Sequence, residues 1–261
     1  MKAYVKPDKT DAGDGEAICQ AVTRPTMRLV AVKSIEQQGV LMLHKTRDLL
    51  VRQRTMLINA LRGHLAEFGI ITAQGSAGGK TAIEAFHTAQ NSVPALARRA
   101  LHGLIDQMRV LAKEIDKIEV QILAWHKNNE ASRRLAAIPG IGPITASAIT
   151  AVMPDATVFS SGRSFAAWLG LTPRSHSSGG KDKLVGISKQ GEGYLRRLLV
   201  IGATAVIRRA RQDNASKSWA AKLLTRKPAR LVSVALANKT ARIAWALLAR
   251  NEIYAVPARA A

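Results

Sequence analysis

Cysteine is almost missing from this chain of 261 residues. Cys19 stands alone, so no intrachain disulfide and no cysteine-built zinc site can form. Aromatic residues are scarce as well, at 4%, while Ala, Leu, Ile and Val are plentiful, which favours helix over sheet. Long apolar runs are absent: the longest, such as residues 198–207, fall well short of the roughly 20 residues that span a bilayer. No charged lead followed by an apolar segment opens the chain. The expected address is a reducing cytoplasm, against the nucleoid, with no membrane partner.

Acidic residues are also few, 18 against 39 Lys+Arg, for a net charge of +21. That excess points to a polyanion, with nucleic acid ahead of ribosomal or membrane-surface contact. The imbalance is uneven. Residues 1–130 hold 18 basic and 13 acidic side chains, and residues 131–261 hold 21 and 5. The polyanion is therefore expected against the second half, in a steeply salt-dependent contact. A hydrophobic fraction of 47% is enough to bury a core, so wholesale disorder is excluded.

The spacing of apolar residues predicts helices. One runs over residues 14–23, and a long one over 33–68 carries Met42/Leu43, Leu49/Leu50 and Met56/Leu57 every seven residues. Residues 69–95 are rich in glycine and read as a loop. Beyond them, Leu101, Met108, Ile115 and Ile122 recur every seven residues, as do Leu104, Leu111, Ile118 and Trp125, offset by three. This seam fits an antiparallel hairpin with the preceding helix or a coiled coil between chains, and the sequence leaves both open. Short helices are expected near 143–153, 163–170, 190–212, 216–225 and 229–251. Residues 171–189 read as an exposed loop or small ribbon.

Four stretches carry candidate chemistry. In "IPGIGPITASAITA", residues 138–151, the Pro-Gly-Ile-Gly turn sits between two helices as in a helix-hairpin-helix. Gly140 and Gly142 would let the backbone turn sharply and aim helix N-terminal amides at a phosphate; an ordinary helix-helix turn has the same sequence. "QGSAGGKT", residues 74–81, has Gln74 where a nucleotide-binding loop needs glycine, so an ATPase is excluded. "TPRSHSSGGKDK", residues 172–183, gathers serines, two glycines, Arg174, Lys181 and Lys183. Such a stretch can offer a hydroxyl to a phosphate, and it also matches a plain surface loop. In "DKTDAGDGEAI", residues 8–18, Asp11 and Asp14 share a helical face while Glu16 points about 160° away. Two carboxylates can take part in a magnesium site, or can simply favour a helix dipole.

Taken in order, "KTDAGDGEAI", "AVTRPTMRLV", "RTMLINALRGHLAEFGI", "LAAIPGIGPITASAI", "SFAAWLGLTPRSHSSGGKDKLVGISKQGEGYLRRLLVIGA" and "ALANKTARIAWALL" resemble the DEDD-type transposases of insertion-sequence family 110, relatives of the pilin-gene invertase. The resemblance covers nearly the whole chain. It implies a RuvC-like RNase H-fold domain, a coiled coil and a helical transposase domain with a helix-hairpin-helix. On this chain those map to a remnant of the first domain at 1–32, a coiled-coil region at 33–130 and the transposase domain at 131–261. It further implies that Asp11 and Asp14 are Mg2+ ligands from a four-acid set. Ser178 becomes a nucleophile on DNA, with DNA as partner, a homo-oligomer as the working state and, for some relatives, an element-encoded guide RNA. The first Asp and the Glu of the set would lie upstream of this sequence. The expectation is thus a mostly α chain that binds nucleic acid but is inactive alone; a basic nucleic-acid-binding protein without catalytic activity is the alternative.

Overall fold

The computed structural model describes residues 10–24, 32–75, 78–153, 155–175, 184–212 and 218–255. Ten α-helices and one small ribbon make up the described residues. Helix α1 spans Asp11–Val22, with Thr10 accepting from the Gly13 amide as its cap. Helix α2 spans Ile35–Ala66 and begins with a reciprocal cap: Ser34 accepts from the Gln37 amide, and the Gln37 side chain accepts from the Ser34 amide. Helix α4, Ala95–Asn128, returns along it. The two are antiparallel: Trp125 Nε1 donates to Glu36 at one end, Arg47 pairs with Glu119 further along, and Leu61 and Leu65 meet Leu101 and Ile105 at the far end.

The heptad seam of α4 therefore faces a helix of its own chain. Leu101, Met108, Ile115 and Ile122 are buried. At roughly 1.5–3 kcal/mol for each fully buried aliphatic side chain, that seam is the main force holding the arm together. On another side of α2, Ile35, Met42, Leu49 and Met56 keep a seven-residue spacing and stay exposed.

The reading of residues 69–95 as a loop is corrected by helix α3, Gly78–Ala89. Its glycines fall at the start, where a helix tolerates them best, and Ala82 and Phe86 sit one turn apart and fully buried against Leu61 and Leu65. Burial at the tip of the arm outweighs the weak local propensity of this segment.

The second half packs as short helices around one core. Helices α5 (Glu130–Ala136), α6 (Pro143–Val152) and α7 (Gly162–Trp168) lead to strands β1 (Pro173–Ser175) and β2 (Leu184–Ile187), then to α8 (Gly193–Gln212), α9 (Trp219–Leu224) and α10 (Ala229–Arg250). The strands pair antiparallel, Arg174 opposite Val185 and Ser175 opposite Leu184, so the described ends of the 171–189 stretch form a small ribbon, as their composition allowed. Among the described residues there is no larger sheet. An RNase H-like sheet is thus not part of the described structure.

Helix α10 is 22 residues long and contains an 18-residue stretch of mean hydropathy 1.3, apolar enough by length and composition to cross a membrane. Its apolar character is used inside the fold. Ala237, Ala241 and Ala244 are fully buried in the core that Phe165 of α7 and Leu195 and Leu199 of α8 also build.

Candidate nucleic-acid interface

The turn between α5 and α6 is built by burial from both sides. Ile138 and Ile141 are buried, and the Ile141 amide donates to the Ile138 carbonyl at 2.9 Å. Gly140 bridges them with φ of +89°, a conformation that favours glycine. It also lies directly on α8: a Cβ at Gly202 would collide with the Gly140 carbonyl oxygen. Gly142 and Pro143 remain exposed and start α6 with no side-chain cap. The geometry thus separates the two glycines. Gly140 is a packing residue, and Gly142 lies at the open helix N-terminus, where amide hydrogens can meet an anion.

A buried polar chain joins the arm to the same region. His44 on α2, 1% exposed, places Nε2 3.1 Å from Ser147 Oγ on α6 and Nδ1 3.0 Å from the Tyr194 hydroxyl on α8. Ser147 spends its proton on the Pro143 carbonyl, 2.8 Å away. Its oxygen must then accept from His44 Nε2–H, which leaves Nδ1 to accept from Tyr194. Burial, helped by the Arg47 charge, holds the His44 pKa down to about 4, so the ring is neutral. Burial pushes the Tyr194 hydroxyl up, which keeps it a donor. Around this chain, Asp48 of α2 pairs with Arg197 of α8.

The ribbon is fixed at its root by Arg196. Its Nη1 donates to the Leu169 carbonyl at 2.8 Å and to the Gln190 carbonyl at 2.9 Å, one on each side of the ribbon. Asn238 of α10 donates to the Leu171 carbonyl at 3.2 Å, and the Ser188 amide to the Thr172 carbonyl at 2.9 Å. Neither Arg196 nor Asn238 stands out in the sequence as a site residue. The only signal was their place inside two of the recognisable stretches.

Arg174 is exposed on β1. Ser178, Lys181 and Lys183 lie outside the described residues, between β1 and β2 in the chain. Asp11 and Asp14 occupy the first turn of α1, one exposed and one half-buried. Among the described residues no group of three or more His, Cys, Asp or Glu is close enough to hold a metal ion. The described residues therefore do not make a complete magnesium site.

A second concave surface was not foreseen. An open groove of about 1550 Å³ runs between α10, the ribbon, the start of α7 and α9. Arg163, Lys189, Arg230, Lys239 and Arg242 stand around it, and Trp219 and Trp245 line it.

These features define a class: a helical, strongly basic protein whose second half carries exposed cations and an open helix N-terminus. The family follows from comparison with known proteins. Residues 132–220 match the model of the transposase IS116/IS110/IS902 family. The chain is 49% identical to a probable family 20 transposase of Pseudomonas aeruginosa over 97% of its own length and 76% of that protein's. It is 46% identical to a putative transposase of Sinorhizobium fredii, covering 97% of this chain and 66% of that one. It is 41% identical to the transposase for insertion sequence element IS1111A of Coxiella burnetii, covering 97% and 70%. The chain belongs to the IS116/IS110/IS902 family of insertion-sequence transposases.

Proposed function

We propose that this chain binds DNA ends of an insertion sequence through its cationic second half and joins to them through Ser178. The observation that carries the reading is the root of the ribbon. Arg196 ties the carbonyls of Leu169 and Gln190 together, so the segment bearing Ser178 leaves from a fixed base. A fixed base is what a nucleophile needs to meet phosphorus in line. The Ser178 oxygen would form a bond to phosphorus, a deoxyribose oxygen would leave with the electron pair of the broken bond, and that oxygen would take up a proton. Cations such as Arg174 would offset charge on the phosphoryl oxygens.

Asp11 and Asp14 would contribute two ligands to a Mg2+ ion. Among the described residues no group of three or more possible ligands stands together, and on this reading the rest of the acids are supplied in trans. The chain alone is then expected to bind DNA without exchanging strands.

The test supplies the missing acids in trans, from an intact relative whose own serine is replaced, together with element-end DNA. A covalent adduct should form on this chain and vanish in Ser178→Ala, with binding retained. An adduct that persists in Ser178→Ala removes that serine from its role. Strand exchange by this chain alone would show that no outside acids are needed.

A further inference from the structure

We propose that the groove along α10 holds a single-stranded stretch of polynucleotide, bases inward and phosphates on the rim. This rests on the reading of DNA as substrate, and adds where and in what form it binds. The groove has about 1550 Å³, beyond the roughly 300–1,000 Å³ of small-molecule pockets, so a chain-like ligand suits it better than a metabolite. Its α10 wall runs from Arg230 to Ala246 in rows spaced by four residues, about 24 Å at 1.5 Å per residue. That length is on the order of a few nucleotides, the lower end of what one single-strand module covers.

The wall chemistry sorts by depth. Leu171 is buried and Val185, Ile187, Ile243 and Trp245 are half-buried, an apolar floor beside the more exposed Trp219. Trp245 is held in place by its Nε1, which donates to the Ala156 carbonyl at 2.9 Å. Trp219 lies under the Lys239 ammonium, 4.8 Å from the ring centre, and is still 43% exposed. Five cations ring this floor, and no Asp or Glu lines the groove among the described residues. α10 has no acidic residue at all. Among the described residues, no ion pair reaches Arg163, Lys189, Arg230, Lys239 or Arg242.

Charge and floor together choose the occupant. A second copy of this chain carries +21 and would bring more cations to five that already repel one another. A DNA duplex satisfies the cations but keeps its base faces stacked inside, leaving the apolar floor idle. Unpaired bases offer their faces to indole rings while their phosphates reach the rim.

The experiment uses the full chain, a fluorescein-labelled twelve-nucleotide oligothymidylate and a twenty-pair duplex. The groove variant is Arg230→Glu/Arg242→Glu. The control, Lys113→Glu/Lys127→Glu on α4, changes net charge equally. The groove variant should lose about tenfold or more in affinity for the oligothymidylate, with the control within about twofold and the duplex weakened far less. Oligothymidylate should quench indole fluorescence in the wild type. Trp219→Ala should remove part of that quenching and cost about tenfold in affinity, within the range for one stacked base. Equal losses on single strand and duplex, or a groove variant that binds like wild type, would overturn the proposal. So would unchanged oligothymidylate affinity together with a shifted sedimentation of the free groove variant, which would make a second copy the occupant. Failure to find a Ser178 adduct leaves these outcomes readable, since they concern binding alone.

Discussion

His44 Nε2 and Ser147 Oγ lie 3.1 Å apart in the buried seam between the helical arm and the core of the second half. Nε2–H donates to Ser147, which spends its own proton elsewhere, while Nδ1 accepts from Tyr194, and that second bond is the one a protonated ring loses. The His44 pKa is lowered from 6.5 to about 4 in the fold. A histidine with a depressed folded pKa contributes its full stability above the unfolded value. Between about pH 6.5 and 4 the unfolded chain takes up a proton that the fold refuses, and stability drops by roughly 3 kcal/mol. Chemical denaturation from pH 7.5 to 4 checks this. His44→Gln should be less stable at pH 7 but show a shallower decline over that window. An identical decline would place the titration elsewhere, for instance at His126, which burial and Arg133 also shift downward.

Gly202 against Gly140 gives a prediction of opposite sign to that of a free helical glycine. Gly202→Ala puts a methyl group into the Gly140 carbonyl, so α8 and the turn must separate. A loss of roughly 1–3 kcal/mol is expected from such overpacking. Gly63→Ala in α2 meets nothing within 4 Å and should stabilise by roughly 0.5–1 kcal/mol. Thermal melts of the two variants against wild type decide it.

Arg196→Lys keeps the charge but replaces a fork by a point donor. The Leu169 and Gln190 carbonyls can no longer be held by one rigid group. The expected cost is roughly 1–3 kcal/mol. Amide exchange should quicken at Ser188 and Lys189, whose amides close the ribbon root onto Thr172 and Gly170. Unchanged exchange there would mean that Asn238 and the backbone bonds suffice.

Polynucleotide binding should fall steeply with salt. If six to ten phosphates are neutralised, affinity drops about 10³–10⁵-fold between 50 and 200 mM salt. The slope of log affinity against log salt, measured by anisotropy, should be shallower by roughly 2 in Arg230→Glu/Arg242→Glu.

Much of the helical layout was legible in the sequence because its cause is local. The heptads of α4, the seven-residue apolar pairs of α2 and the Pro-Gly-Ile-Gly turn before α6 are each signalled within a few residues. What escaped depended on contacts remote in the chain. Helix α3 exists because Phe86 finds Leu61 and Leu65, and nothing within residues 69–95 announces that partner. The seam left two partners open until α2 was found lying on it within the same chain. At the turn, two glycines looked alike, yet only Gly140 meets α8. The His44 chain is 103 and 150 residues apart in sequence, so no spacing rule reaches it. The groove was missed because its cations come from three separate parts of the chain and only the fold assembles them.

Helix α10 faces two ways. Its inner side is alanine at 237, 241 and 244, and its backbone at Arg242 sits so close to Gly162 that an added Cβ there would come within 3.1 Å. Its outer side is the long wall of the trough. Any enlargement behind it moves the wall in front, so a genetic screen for binding defects will return small interior residues that never touch the ligand.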